Sequence, residues 1–484
     1  MIAWSSRNAL KGKAVFSFLD ASRALGIELQ FPDPRFSFIS GASIDSRTIE
    51  RGELFVALRG SRDDGHRFLA DAFRKGASGA LIEKSFFSFK QKELAQAPVL
   101  YRNLLLVADP QSALVDLAAH LRRFYHPLTV GITGSVGKTS AKEFLNYLLN
   151  KKFKVLSSAG NFNNHLGLPL TLLRLKPDHR ICIAELGANH KGEIRCLANL
   201  LMPQHAIITR ISPAHLSGFG SMEGIYEAKL EILEPLPDGA GVVLPYEDRL
   251  LFERVRKRNV KILTVGHSSN ADYCIENVAV RNSCVSFELN GRSFAFPGVA
   301  GFLAINAAMA IAMAGHIGVS PGEIPERWSD LRLPEGRFQE RHLDQDIRVI
   351  YDGYNASPAS FEAALDAFEM IEATGRKFLV FADMLELGDE AFKYHERLGR
   401  RASRFPLDYA AAYGPNAKVS IDAIRRENPL IRAEHFERAE DVAAFLRDQI
   451  RAGDILLLKA SRGMKIDEVL EFLDQKKLTA PPQG

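Results

Sequence analysis

Cysteine is scarce in this chain: Cys182, Cys196, Cys274 and Cys284 are the only four among 484 residues. None forms a Cys-x-x-Cys pair and none has a histidine at zinc-finger spacing, which excludes a disulfide framework and a structural zinc site; reduced thiols are expected. Long apolar runs are missing too. No segment supplies the roughly 18 uncharged apolar residues of a membrane-spanning helix. The opening Met1-Ile2-Ala3-Trp4-Ser5-Ser6-Arg7 has no basic region leading into an apolar stretch and a small-residue cleavage site. A cytoplasmic protein without a transmembrane segment is expected. A strong excess of either charge is also lacking, since 62 Lys and Arg stand against 58 Asp and Glu, a net charge of +4. The overall field therefore calls for no nucleic-acid partner, and any anion site has to be built locally. Neither a repeat of fixed period nor a low-complexity tract occurs.

What is present is an ordinary globular balance, 46% apolar and 25% charged, in a chain too long for one core. Three α/β domains are expected: residues 1–108, 109–332 and 333–484. The first mixes short apolar runs such as Gly52-Glu53-Leu54-Phe55-Val56-Ala57-Leu58 with a helical stretch near 68–75. It closes at Asp109-Pro110, because the residue before a proline avoids helix. The second passes from a strand over 128–133 through a glycine loop into a helix over 138–151. Further strands are expected at 181–185, 206–211 and 241–244, an alternation that predicts a largely parallel sheet covered by helices. The third repeats it with strands at 347–351, 377–381, 409–413 and 454–459 and helices near 360–371, 392–404 and 466–473, a Rossmann-like domain. The tail 479–484 is expected to fray.

The strongest local signal is Gly131-Ile132-Thr133-Gly134-Ser135-Val136-Gly137-Lys138-Thr139-Ser140. Ile132 stands where a strict phosphate-loop pattern has its first glycine, yet Gly134 and Gly137 still permit a tight anion-cradling turn at a helix N-terminus. Backbone N–H groups there point at phosphate oxygens, Lys138 neutralises β/γ phosphates, and the Thr139 hydroxyl suits Mg²⁺. The bland alternative is a glycine turn with an exposed lysine. A nucleotide site also needs a carboxylate, and Glu185 ends the apolar strand over 181–185, where open α/β sheets hold ligands. His215, in Ser212-Pro213-Ala214-His215, follows another strand and offers a neutral imidazole. Taken singly, Glu185 reads as a surface acid or helix cap, and His215 is a weak signal.

Read together, the segments resemble the Mur ligases, and among them the MurF-type branch. These are Ser158-Ala159-Gly160-Asn161-Phe162-Asn163-Asn164-His165-Leu166-Gly167, Glu185-Leu186-Gly187-Ala188-Asn189-His190, and Pro213-Ala214-His215-Leu216 with Ala228-Lys229. The amino-terminal Asp45-Ser46-Arg47 and Asp64-Gly65-His66 join them, as do Asp352-Gly353-Tyr354-Asn355, Asp383-Met384-Leu385-Glu386-Leu387-Gly388 and Ser461-Arg462-Gly463-Met464-Lys465. The branch rests on Gly160 to Asn164, Glu185 to Asn189 and Asp383 to Gly388.

The resemblance implies an ATP-dependent ligase of peptidoglycan precursor synthesis that joins D-alanyl-D-alanine to a UDP-N-acetylmuramoyl-tripeptide through an acyl phosphate. It places ATP on Gly134, Ser135, Val136, Gly137, Lys138, Thr139 and Ser140, with Asn306 at the adenine, Arg337 at the phosphates and Asp352 at the ribose; Tyr354 and Asn355 are nearby lining candidates. Ser46 and Arg47 fall at the uridine diphosphate, and Asn161, Asn163 and Asn164 at the muramoyl peptide. Thr139 and Glu185 are implied to hold one Mg²⁺, and Glu185, His215 and a carbamate formed on Lys229 a second. By composition alone Lys229 reads as an exposed helix lysine beside Glu227 and Glu231. A monomer is expected, whose last domain closes on the second because ATP contacts lie on both.

The chain departs from the family pattern in places. Ala300-Gly301-Phe302-Leu303 replaces the usual Gly-x-His-Asn before Asn306, Pro245 stands for an asparagine, and Ala382 and Ala460 for glycines. These changes touch the adenine side and leave the phosphate and metal residues intact, so an active enzyme with an altered base pocket is expected. Two rivals remain. A ligase for a diamino acid would carry Asp-Asn-Pro-Arg, which is missing, and a folate enzyme would not need the uridine-type first domain. A nucleotide switch protein would leave the asparagine cluster without a task.

Overall fold

The computed structural model describes residues 16–60, 63–97, 100–343 and 346–474; the opening seven residues and the 479–484 tail lie outside them. The amino-terminal part is a five-stranded sheet ordered Leu29–Gln30, Leu104–Val107, Gly79–Glu83, Leu54–Val56 and Ala42–Ser43. Only the Leu29–Gln30 edge is antiparallel. The break expected at Asp109-Pro110 is the start of the helix Pro110–Tyr125. The Asp109 carboxylate accepts the Gln111 and Ser112 N–H groups, and Pro110 takes the first turn, where a missing N–H costs nothing. Packing runs across this point, since Leu114 and Leu117 join Leu54, Leu81 and Leu105 on one side and Leu168 and Leu197 on the other.

The central sheet has nine strands. From one edge run Val155–Ser157, β2 (Ile181–Glu185), β1 (Leu128–Thr133), β3 (His205–Ile208), Gly241–Pro245, Lys261–Gly266 and Tyr273–Arg281, all parallel. Cys284–Leu289 and Arg292–Pro297 then add an antiparallel end. The alternation of elements does not predict this end, although its turns are written in the chain. Asn282-Ser283 and Asn290-Gly291 all take positive φ, the geometry of the tight hairpin turns that match strand twist. Helix α1 (Lys138–Asn150) lies on the sheet against α3 (Leu303–Ile317), while α2 (Met222–Leu230) sits beyond β3. The α1/α3 face buries Phe144, Leu148, Ala307, Ile311 and Trp328 in one core.

The last sheet is ordered Gln339–Leu343, β4 (Ile347–Asp352), β6 (Ile455–Lys459), β5 (Lys377–Ala382), Tyr409–Tyr413 and Arg432–Phe436. All neighbours are parallel except the first pair. β6 inserts between β4 and β5, and the segments that follow the carboxyl ends of all three, carrying Asn355, Arg462 and Glu386, line a crevice there, the usual ligand position of such sheets. This crevice faces the phosphate loop.

Candidate active site

Between β1 and α1 the chain turns through Gly134 and Gly137 at φ 142° and 93°. A Cβ on Gly134 would lie 2.0 Å from Thr209 Oγ1, and one on Gly137 2.5 Å from Asn306 Oδ1, so both the dihedrals and the space demand glycine. The turn leaves the first N–H groups of α1 facing a cleft of about 400 Å³. Gly134, Ser135, Val136, Gly137, Lys138 and Thr139 line it, with Asn161, Asn163, Asn164, Glu185, His215 and Lys229 from the central domain and Arg337, Tyr354, Asn355, Glu386 and Arg462 from the last.

Glu185 is the hub. Only 2% exposed, it accepts from Thr139 Oγ1 at 2.8 Å and from Asn163 Nδ2 at 2.9 Å. Arg337 Nη2 donates to Thr139 Oγ1 at 3.1 Å and its guanidinium stacks 3.8 Å from the Tyr354 ring centroid, while its buried Nε has no hydrogen-bond partner among the described residues. A buried unpaired guanidinium donor costs about 1–3 kcal/mol, and an anion entering the cleft would relieve that. Lys138 Nζ folds back onto its own loop, donating to the Gly134 and Ser135 carbonyls at 2.9 and 3.3 Å. Burial lowers its pKa, with Glu185 opposing and Arg337 reinforcing the shift.

Lys229 is 3% exposed, not a surface lysine. Its Nζ lies 5.2 Å from the Phe219 ring centroid. Burial draws its pKa down to about 7, helped by Lys138 and resisted by Glu185, so a neutral amine is available near neutral pH. His215 adopts φ 51° and turns Nδ1 onto the Glu386 carboxylate across the domain boundary. Burial lowers its pKa and Glu386 counters. Among the described residues no three His, Cys, Asp or Glu side chains converge on one point. The Thr139 hydroxyl and the Glu185 carboxylate are oxygen donors that suit a hard cation keeping water or phosphate oxygens in its shell, as Mg²⁺ does, while the His215 ring is a softer donor beside them.

The other residues singled out in the sequence differ in what they touch. Ser135 turns its hydroxyl away from the phosphate position, donating to Ser212 O at 2.8 Å and accepting from Ser212 N at 3.1 Å, which ties the loop to the segment carrying His215. Ser140 is buried on α1, and Asn306 backs Gly137 from α3. Asp352 is not brought into the cleft. It faces Lys459 across the β4–β6 register, forms a buried ion pair at 2.5 Å and accepts the Phe338 N–H at 3.2 Å, so its oxygens are engaged inside the last domain. Ser46 and Arg47 lie away from this cleft in the first domain; Ser46 is buried, and Arg47 makes a bidentate pair with Asp45 at the surface. Phe302 packs edge-on against Phe338 with centroids 5.5 Å apart. Within Asp383 to Gly388, Asp383 caps the helix Ala417–Glu427, while Leu385, Glu386 and Leu387 line the cleft and Glu386 brings the charge. No role for Glu386 follows from the sequence; its place in the Asp383 to Gly388 motif is the signal that points to it.

The chain matches the catalytic domain of the Mur ligase family over residues 38–122, its middle domain over 132–314 and its glutamate ligase domain over 336–462. The UDP-N-acetylmuramoyl-tripeptide–D-alanyl-D-alanine ligase of Bacillus subtilis is 33% identical over 93% of this chain and 96% of its own length. Its Escherichia coli counterpart is 31% identical over 90% and 94%. Among solved structures, MurF from Acinetobacter baumannii aligns at TM-score 0.80 and 27% identity, covering 95% of this chain and 98% of that one. MurF from Thermotoga maritima in complex with ADP aligns at 0.74 and 28%, covering 91% and 98%. With the three family domains matched in order and these relatives aligned over nearly its whole length, this protein belongs to the Mur ligase family, in its MurF-type branch.

Proposed function

We propose that this protein uses ATP to join D-alanyl-D-alanine to a UDP-N-acetylmuramoyl-tripeptide. The observation that carries the reading is the meeting of the phosphate loop, Glu185, His215, Lys229 and Arg337 in one cleft, beside the ligase names and the ADP complex of the relatives.

A terminal carboxylate oxygen of the tripeptide attacks the γ-phosphorus of ATP, the bond to the β,γ-bridging oxygen breaks, and ADP leaves. The amine of the dipeptide then attacks the acyl carbon; inorganic phosphate departs, the nitrogen loses a proton, and an amide remains. Two anions must meet in the first step. Lys138 and Arg337 offset their repulsion and hold the phosphoryl group in line, the positioning on which phosphoryl transfer depends. Bound Mg²⁺ supplies further charge screening there. Thr139 and Glu185 are the residues for one ion, and Glu185, His215 and a carbamate on Lys229 for a second. Asn161, Asn163 and Asn164 read the muramoyl peptide, and Ser46 and Arg47 the uridine diphosphate. The three units act as uridine-substrate, ATP and ligase domains of a cytoplasmic monomer, residues 1–108, 109–332 and 333–484.

The test supplies ATP, Mg²⁺, UDP-muramoyl tripeptide and D-alanyl-D-alanine and measures amide and phosphate together. Equal yields of both, dependent on the dipeptide, are expected. Turnover that requires a different amine acceptor overturns the branch-level reading.

A further inference from the structure

Lys142 is a lysine that neither the phosphate loop nor the metal residues require. It lies on α1 one turn beyond Thr139 and is 0% exposed. Burying a charged side chain so completely is costly unless specific partners hold it. A fold that needed only packing at this point could use Leu or Met instead. Two partners are present. Lys142 Nζ pairs with Glu143 Oε1 at 2.8 Å and donates to the main-chain carbonyl of Ser158.

Ser158 opens the segment that carries the three asparagines. Its N–H donates to Ile183 O at 3.1 Å, and its hydroxyl accepts the Glu185 N–H at 3.3 Å. At the far side of the same loop Asn163 donates to Glu185 Oε1, and the Gly187 N–H donates back to Asn163 O at 2.8 Å. Thr139 and Lys142, three residues apart, share a face of α1. One holds the Glu185 carboxylate and the other holds Ser158. The hydrogen bonds thus close a ring from α1 through Glu185 and the asparagine loop back to α1.

We propose that Lys142 is the positioning residue that fastens the asparagine loop to the helix of the phosphate loop, so that the peptide-substrate site is set in register with the nucleotide site. The assignment rests on the ligase reading of the cleft. Lys142 touches neither substrate; it acts through Ser158.

Two variants test it. Lys142→Met removes the donor while keeping apolar bulk, and Ser158→Ala leaves the Lys142 contact but cuts the link to Glu185. Each is measured for ADP affinity by calorimetry and for the KM values of ATP and UDP-muramoyl tripeptide. Loss of a hydrogen bond to a charged group predicts a tripeptide KM raised about tenfold or more, with ADP affinity and ATP KM held within about twofold. A purely stabilising lysine would lower the thermal midpoint and leave both KM values of the folded enzyme unchanged. That result, or equal weakening of both ligands, overturns the proposal. If Lys142→Met does not fold, Lys142→Gln, whose shorter side chain withdraws the donor from the Ser158 carbonyl but stays polar, takes its place and decides by the same KM comparison. Should the unaltered protein fail to bind UDP-muramoyl tripeptide, the ligase reading falls and this inference with it; normal binding with unaffected variants removes only the role of Lys142.

Discussion

A lysine on the surface is almost wholly protonated at neutral pH, but Lys229, buried beside Phe219 and in the field of Lys138, titrates near 7. CO₂ reacts with the neutral amine, so carbamate formation should follow the deprotonated fraction. That fraction falls about tenfold per unit below the pKa. Nuclear magnetic resonance with isotopically labelled bicarbonate should therefore show a carbamate signal that grows as pH rises through about 7. Lys229→Arg should abolish it, since a guanidinium stays charged. A signal of unchanged strength in that variant would place the modification on another amine.

The element that matters most is the strand–turn–helix from β1 into α1, whose turn works only because two residues lack side chains. Gly137→Ala forces a left-handed backbone onto alanine at a cost of about 1–2 kcal/mol and drives its methyl into the Asn306 side chain. ADP affinity should drop at least about tenfold, the equivalent of 1.4 kcal/mol, as the N–H groups tilt away from the phosphates. Replacing Asn306 by Ala in the same chain should recover part of the loss, because the clash goes while the dihedral strain stays. Calorimetric titration with ADP measures both effects, and an affinity unaffected by Gly137→Ala would show that the turn does not set the phosphate site.

At the scale of the whole molecule, Arg337 to Thr139 and Glu386 to His215 and Ser217 join the last domain to the central one at the cleft. The double variant Arg337→Ala, Glu386→Gln should loosen that approach and enlarge the radius of gyration in solution scattering without nucleotide; an unaltered profile would mean that other contacts hold the domains together. Acid stability is a second global property. His205 accepts the Gly241 N–H through Nδ1 and stands edge-on to His316, and burial takes its pKa from 6.5 down to about 4. The unfolded chain binds this proton first, so stability is full above about 6.5 and is lost as pH falls from there towards 4. The thermal midpoint should decline across that window, and His205→Asn, which keeps an acceptor for Gly241, should flatten the decline. An equal slope in the variant would assign the acid sensitivity to other groups.

The sequence by itself determined what depends on neighbours along the chain. Glycine spacing and the strand before it located the phosphate loop, apolar runs bounded by turns located β2 with Glu185 at its end, and the alternation of elements announced parallel sheets. The structure bears these out with strands Ile181–Glu185 and Tyr409–Tyr413 and helix Lys138–Asn150. Only the tertiary structure decided which charged groups lose water and whom they meet. Lys229 reads as a surface lysine until α2 packs it inward, and Asp352 reads as a ligand residue until register sets it against Lys459, 107 residues away. Glu386 reaches His215 across 171 residues and a domain boundary. Periodicity and spacing carry backbone preference, which is local, whereas desolvation and ion pairing arise from groups brought together by chain closure, which no single segment records.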